Sequence, residues 1–256
     1  MSAETSAHEK RNEFAWLAVL LIVVITVRAL ALGADPLPDT EWGFIIDWGD
    51  WSRNARTHAL WGIWMVDDNN LGLYGAFGFT LAIRLCFELL GVGQAQTNLV
   101  NAISGILTVL AVYSVVRSFA GQKTALLAAL LMGVNPITIT HDRSGYPESF
   151  QLLFVVLAVT TIFSSRGWVA ALGGLCFALA IMAKWTGLVL APIVGLIWIS
   201  QWAANRFFGL EPHFSRRRLL LYGTVAASVL LIYAVAFVLP HRADLGLEIA
   251  ASSEGF

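Results

Sequence analysis

Polar and apolar positions fall along this chain in long blocks, not in the short alternations of a soluble fold. Residues 1–13 (MSAETSAHEKRNE) are polar, and Phe14 to Leu32 is the first apolar run. A polar stretch covers 33–70, and 71–90 is weakly apolar, with glycines early and Arg84 and Glu88 late. Clearer apolar runs follow at 98–116, 124–140, 149–164, 168–183, 186–203 and 219–239. At about 1.5 Å per residue, each of these, with flanking residues added to the shorter ones, matches about 30 Å of hydrocarbon. The pattern predicts an all-α integral membrane protein with about seven transmembrane helices in a module over 14–239, flanked by tails at 1–13 and 240–256. For the first run a cleaved signal peptide is the rival reading, because Ala29-Leu30-Ala31 resembles a cleavage site. Downstream topology is the same either way.

Composition agrees. Hydrophobic residues make up 57% of the 256 and charged ones 13%, against about 25% charged in an average soluble domain. Too few charges remain to cover a water-facing surface. A net charge of −1 gives no electrostatic case for nucleic acid. Cys86 and Cys176 both lie inside apolar stretches and read as small buried hydrophobes, without support for a disulfide framework or a metal site.

Charge placement orients the chain. If 71–90 lies half-embedded and does not cross, then Lys10, Arg11, Arg117, Lys123, Arg166, Arg206 and Arg216 to Arg218 share one side, as the positive-inside bias asks. If it crosses, most of them face outward. The first arrangement puts the N-terminus in the cytoplasm and the C-terminus outside. Residues 33–97 become a first outer loop of surface-lying and half-embedded helices. Trp42, Trp48, Trp51, Trp61 and Trp64 in that loop suit a water–membrane boundary.

The same arrangement gathers charges on the outer side. The acidic loop carries Asp47 and Asp50, the segment His141 to Glu148 carries Arg143 and Glu148, and Lys184 stands between two apolar runs. A charge at mid-membrane costs roughly 2.5–3.5 kcal/mol on insertion scales, so such groups usually pair or do chemistry. Plainer roles exist for each: Lys184 as a snorkelling anchor, Glu148 as an acid at a helix N-terminus, the two aspartates as solvated loop acids. Asn135-Pro136 reads as a helix stop. The convergence favours chemistry, since a carboxylate can deprotonate a hydroxyl and a cation can stabilise a departing phosphate.

Four stretches resemble membrane glycosyltransferases of the GT-C type, within the superfamily of protein O-mannosyltransferases and lipid A aminoarabinose transferases. They are IIDWGDWSRNARTHAL, the long segment from LAIRLCFELLG to GVNPI, DRSGYPESFQLLFVVLA, and GLCFALAIMAKWTGLVLAP. The resemblance implies sugar transfer from a polyprenyl-phosphate donor to an acceptor hydroxyl on the extracytoplasmic face, with inversion at the sugar carbon. It implies Asp47 as the loop acid that activates the acceptor, Glu148 as the second acid, and Lys184 near the donor phosphate. Arg143 and Asp50 join as substrate contacts by position. No cofactor is required by the resemblance; an acidic loop is compatible with a divalent cation. The implied partners are the polyprenyl-phosphate lipid and the membrane, expected to be a bacterial inner membrane. Two departures stand out. Trp48 follows Asp47 where relatives carry a second acid, and Asn69-Asn70-Leu71-Gly72 replaces a His-Pro-Pro or Lys-Pro-Pro stretch. Relatives are also longer, so the chain is expected to match their N-terminal module, as a fragment, a minimal enzyme or a non-catalytic subunit packed in a larger membrane complex. A transporter is the third class. Its paired half-helices, internal repeats and mid-membrane ionisable groups are not evident in the sequence.

Overall fold

The computed structural model describes residues 3–33, 46–64, 73, 75–162, 166–209 and 216–240. The described residues are helical, without a strand. Helix α1 is Ala3–Ala29, α2 Ile46–Trp61, α3 Phe77–Leu90, α4 Gln94–Val134, α5 Pro136–Asp142, α6 Glu148–Ile162 and α7 Gly167–Ala183. A 3-10 turn, Trp185–Val189, leads into α8, Leu190–Phe208, and α9, Arg216–Tyr233, runs on into a π-helical turn, Ala234–Val238.

Among the described residues four helical stretches are long and apolar enough to cross a membrane: Asn12–Ala29, Gln94–Val134, Trp185–Phe208 and Arg217–Val238. Helices α6 and α7 are apolar and somewhat shorter. Many large apolar side chains face outward, among them Leu196, Trp202, Leu220 and Leu231. In water such a surface would drive aggregation; in a bilayer it is the lipid-facing surface. The chain is an all-α, multi-pass membrane protein.

Helix α4, 41 residues long, is two helices joined at a reversal. Gly121 has φ 79° and ψ 176°, a backbone region essentially reserved for glycine. Leu20 and Val24 of α1 share one core cluster with Val109 and Tyr113 before the glycine and with Ala125 and Ala129 after it. In a straight helix residues 109 and 129 would stand about 30 Å apart, so the chain folds back at Gly121. The expected runs at 98–116 and 124–140 are these two arms. The second arm stops at Val134, where Asn135 Oδ1 accepts from the amides of Ile137 (2.9 Å) and Thr138 (3.4 Å) and caps α5. Asn135-Pro136 is thus the helix stop read in the sequence, and the apolar run 124–140 is broken there.

The two ends of α3 lie at one end of the bundle. Gly78 backs onto Met182, near the C-terminus of α7. At its other end α3 meets the start of α4, where Gln96 Nε2 donates to the Leu90 carbonyl (3.3 Å) and Asn98 Nδ2 to Leu32, just past α1 (3.1 Å). Fourteen residues span only about 21 Å. Helix α3 buries Phe79, Thr80, Ile83 and Phe87 on one face and leaves Leu85 and Leu89 exposed on the other. It therefore lies across one end of the bundle and does not pass through it.

Helices α7 and α9 touch backbone to backbone, through small residues. A Cβ at Gly174 would collide with the Tyr222 carbonyl, and one at Gly173 with Thr161 Oγ1. Replacing Gly174 by leucine is expected to cost about 1–3 kcal/mol as overpacking. Thermal unfolding of the detergent-solubilised chain measures this as a lowered midpoint, larger than that of Gly195→Leu, a glycine with open space around it.

Candidate active site

The loop that carries Glu148 is tied down from three sides. Asn101 of α4, fully buried, donates through Nδ2 to the carbonyls of Ser144 and Tyr146, 2.5 Å each. Arg143 Nη1 donates to the carbonyls of Val27 and Leu30, both at 2.9 Å, so this cation closes the C-terminal end of α1. Arg28, with no solvent exposure, donates through Nε to Asp142 Oδ2 (2.6 Å) and through Nη1 to the Gly133 carbonyl (2.7 Å). Asp142 also accepts from Ser149, and burial raises its pKa against the pull of Ser149 and Arg28. Gly105 makes room for that carboxylate, since a Cβ there would strike it.

On this base Glu148 opens α6 directly after the buried Pro147, and it pairs through Oε1 with Lys184 Nζ. Lys184 stands in extended backbone (φ −161°, ψ 132°) between α7 and the 3-10 turn. Its carbonyl accepts from the Gly187 amide at 2.8 Å and from Gln151 Nε2 at 2.8 Å, and Gln151 Nε2 also reaches Ala180 O at 3.1 Å. Gln151 lies three positions after Glu148, so one face of α6 holds both the side chain and the backbone of Lys184. Lys184 Nζ also sits 5.2 Å from the ring centroid of Trp51 in α2, within cation–π range. Trp51 is buried with Ala55, Phe79, Ile83 and Phe87. The loop helix α2, the start of α6 and the end of α7 thereby meet at one end of the bundle. Beside Glu148 lies a cavity of about 210 Å³ bordered also by His141, Asp142, Ser149, Thr108 and Leu152.

The sequence-predicted residues are distributed as follows. Glu148 and Lys184 are in contact. Arg143 lies five positions before Glu148, with Nη1 turned to α1. Asp47 and Asp50 fall in the first turns of α2, and their side chains lie outside the described ones. Position 47 is one turn before Trp51 and shares its face of α2. Among the described residues no three His, Cys, Asp or Glu side chains converge as a metal site.

Sequence reasoning missed Trp51, Gln151 and the Arg28–Asp142 pair. Trp51, expected at the water–membrane boundary, packs its ring among Ala55, Phe79, Ile83 and Phe87 at this end of the bundle. Arg28 carried a readable signal, because a charge near the end of an apolar run needs a partner.

Comparison with known proteins places the chain. The dolichyl-phosphate-mannose-protein mannosyltransferase family matches residues 75–213, more than half of the sequence. The family match and the fold together support a GT-C type membrane protein. The chain belongs to that mannosyltransferase family. No curated protein matches its sequence. Among solved structures it resembles ArnT from Cupriavidus metallidurans bound to undecaprenyl phosphate, with a TM-score of 0.67 at 16% identity over 87% of this chain. It resembles the apo state of the same ArnT with a TM-score of 0.62 at 16% identity over 94% of this chain. The chain spans 42% and 43% of the length of those two structures.

Proposed function

We propose that this chain transfers a sugar from a polyprenyl-phosphate donor to an acceptor hydroxyl at the extracytoplasmic face of the membrane. The observation that carries it is the Glu148–Lys184 pair under Trp51, at the end of the bundle that also holds α3 and the start of α2. The ArnT bound to undecaprenyl phosphate, alike in fold, supports a lipid phosphate as the donor's anionic part. Lys184 holds that phosphate. The bond from sugar carbon to phosphate oxygen breaks as the acceptor oxygen attacks from the opposite face, with inversion. Lys184 balances the charge left on the phosphate. Asp47 takes the acceptor's proton, Glu148 holds Lys184 and supplies the second carboxylate, and Asp50 and Arg143 contact substrate at the rim. The basic residues Arg117 and Arg166 lie at the far end of the helices that start or end at the site, which supports an outward-facing site by the positive-inside bias.

The test uses the purified full chain in lipid nanodiscs with a panel of polyprenyl-phosphate sugars and hydroxyl acceptors. Transfer of labelled sugar that is lost in Asp47→Asn supports the proposal. A folded chain that transfers nothing, binds no lipid phosphate and co-purifies with other membrane subunits would instead establish the non-catalytic reading.

A further inference from the structure

We propose that Trp51 is a further substrate-binding residue, whose indole N–H joins Lys184 Nζ as the donor set for a phosphate oxygen. This rests on the transferase reading above. Trp51 is 7% exposed, and its Nε1 is buried without an acceptor among the described residues. Leaving a buried N–H unpaired is costly, and buried polar groups in folded proteins are nearly always paired. The surroundings do not call for an indole. Ala55, Phe79, Ile83 and Phe87 form an apolar nest that a phenyl ring would also fill.

A cation lies over the same ring, with Lys184 Nζ 5.2 Å from its centroid. An ammonium over the indole and the N–H at the edge of the same ring can together serve one anionic oxygen, by charge-assisted hydrogen bonds. In this structure Lys184 is held by a carboxylate, and the second oxygen of that carboxylate, Glu148 Oε2, is buried and without a donor among the described residues. Glu148 thus occupies the cation in the place a phosphate would take. A phosphate arriving at Lys184 exchanges one anion for another, satisfies the Trp51 N–H, and leaves Glu148 free to turn toward the substrate. No covalent step is involved. The chemistry recognised is a phosphate monoester or diester oxygen, on a lipid or free in solution.

The experiment compares wild type with Trp51→Phe, which keeps an aromatic ring under Lys184 and removes the N–H. A second variant carries benzothienylalanine at position 51, which keeps the two-ring shape and lacks the N–H, so the test survives if the phenylalanine variant folds poorly. Binding of undecaprenyl phosphate, undecaprenol and inorganic phosphate is measured with the full chain in nanodiscs. The expected result is about tenfold weaker binding of undecaprenyl phosphate in both variants, about 1.4 kcal/mol, with undecaprenol unchanged. Competition by inorganic phosphate that also weakens in the variants would assign the site to free phosphate; absence of competition assigns it to the lipid headgroup. Variants that bind undecaprenyl phosphate as wild type does, or that lose undecaprenol equally, would overturn the role of the N–H. A wild type that binds neither phosphate probe would instead refute the transferase reading itself.

Discussion

Glu148→Gln is expected to lower sugar transfer by about 10²–10⁴-fold, the usual worth of a positioned acid or base. Glutamine keeps the shape of the side chain and a carbonyl oxygen for Lys184, so the loss reports the charge. Lys184→Met removes the cation that balances the departing phosphate, with an expected loss of about 10²–10³-fold. The two residues are in direct contact and hold each other, so their effects are not additive: the double variant is expected to be little worse than the weaker single. Both side chains are partly exposed, and partly exposed ion pairs contribute about 0–1 kcal/mol. Melting midpoints of the variants should therefore stay near wild type while turnover collapses. Turnover unchanged in both singles would remove the pair from the chemistry.

The largest stability effect is expected at the other charge pair. Arg28→Met strands Asp142 in the interior, and breaking a buried pair from one side costs about 3–5 kcal/mol. Asp142→Leu added to Arg28→Met removes the stranded charge and should recover most of that loss, since apolar replacement of a whole buried pair is often near neutral. The single variant carries a pH signature. Burial already raises the Asp142 pKa, with Ser149 and Arg28 pulling it down, so without Arg28 it rises further. A carboxyl whose folded-state pKa lies above its unfolded value loses nothing at low pH, where both states are protonated. It costs stability once the pH passes the unfolded pKa, and the full cost is reached above the folded one. The deficit of Arg28→Met relative to wild type should therefore shrink as pH falls. Urea or thermal unfolding in detergent at two pH values measures it; a pH-independent deficit would contradict the assignment.

The membrane architecture was legible because lipid solvation writes itself into long apolar runs, and the hairpin at Gly121 because a polar, basic turn separates two of them. The break at Asn135-Pro136 was legible because proline disfavours helical backbone in the residue before it; the capping by Asn135 Oδ1 was not. Lys184 and Glu148 were legible as charges that apolar neighbours make costly. The sequence could not show that Arg28 finds Asp142, because 114 positions separate them and pattern carries no long-range pairing. It could not show that Trp51 packs against α3, because a boundary preference does not say which neighbours the ring meets. Arg143 reads as a phosphate contact from its position alone. Its tie to α1 depends on where the first helix ends in space.

The most direct measurement is the location of a bound lipid phosphate. Determining the structure of the full chain with undecaprenyl phosphate should place a phosphate oxygen within hydrogen-bond distance of Lys184 Nζ, with the Glu148 contact to that lysine loosened. A phosphate bound instead at the opposite end of the bundle, beside Arg117 or Arg166, with the Glu148–Lys184 pair undisturbed, would contradict the proposed site.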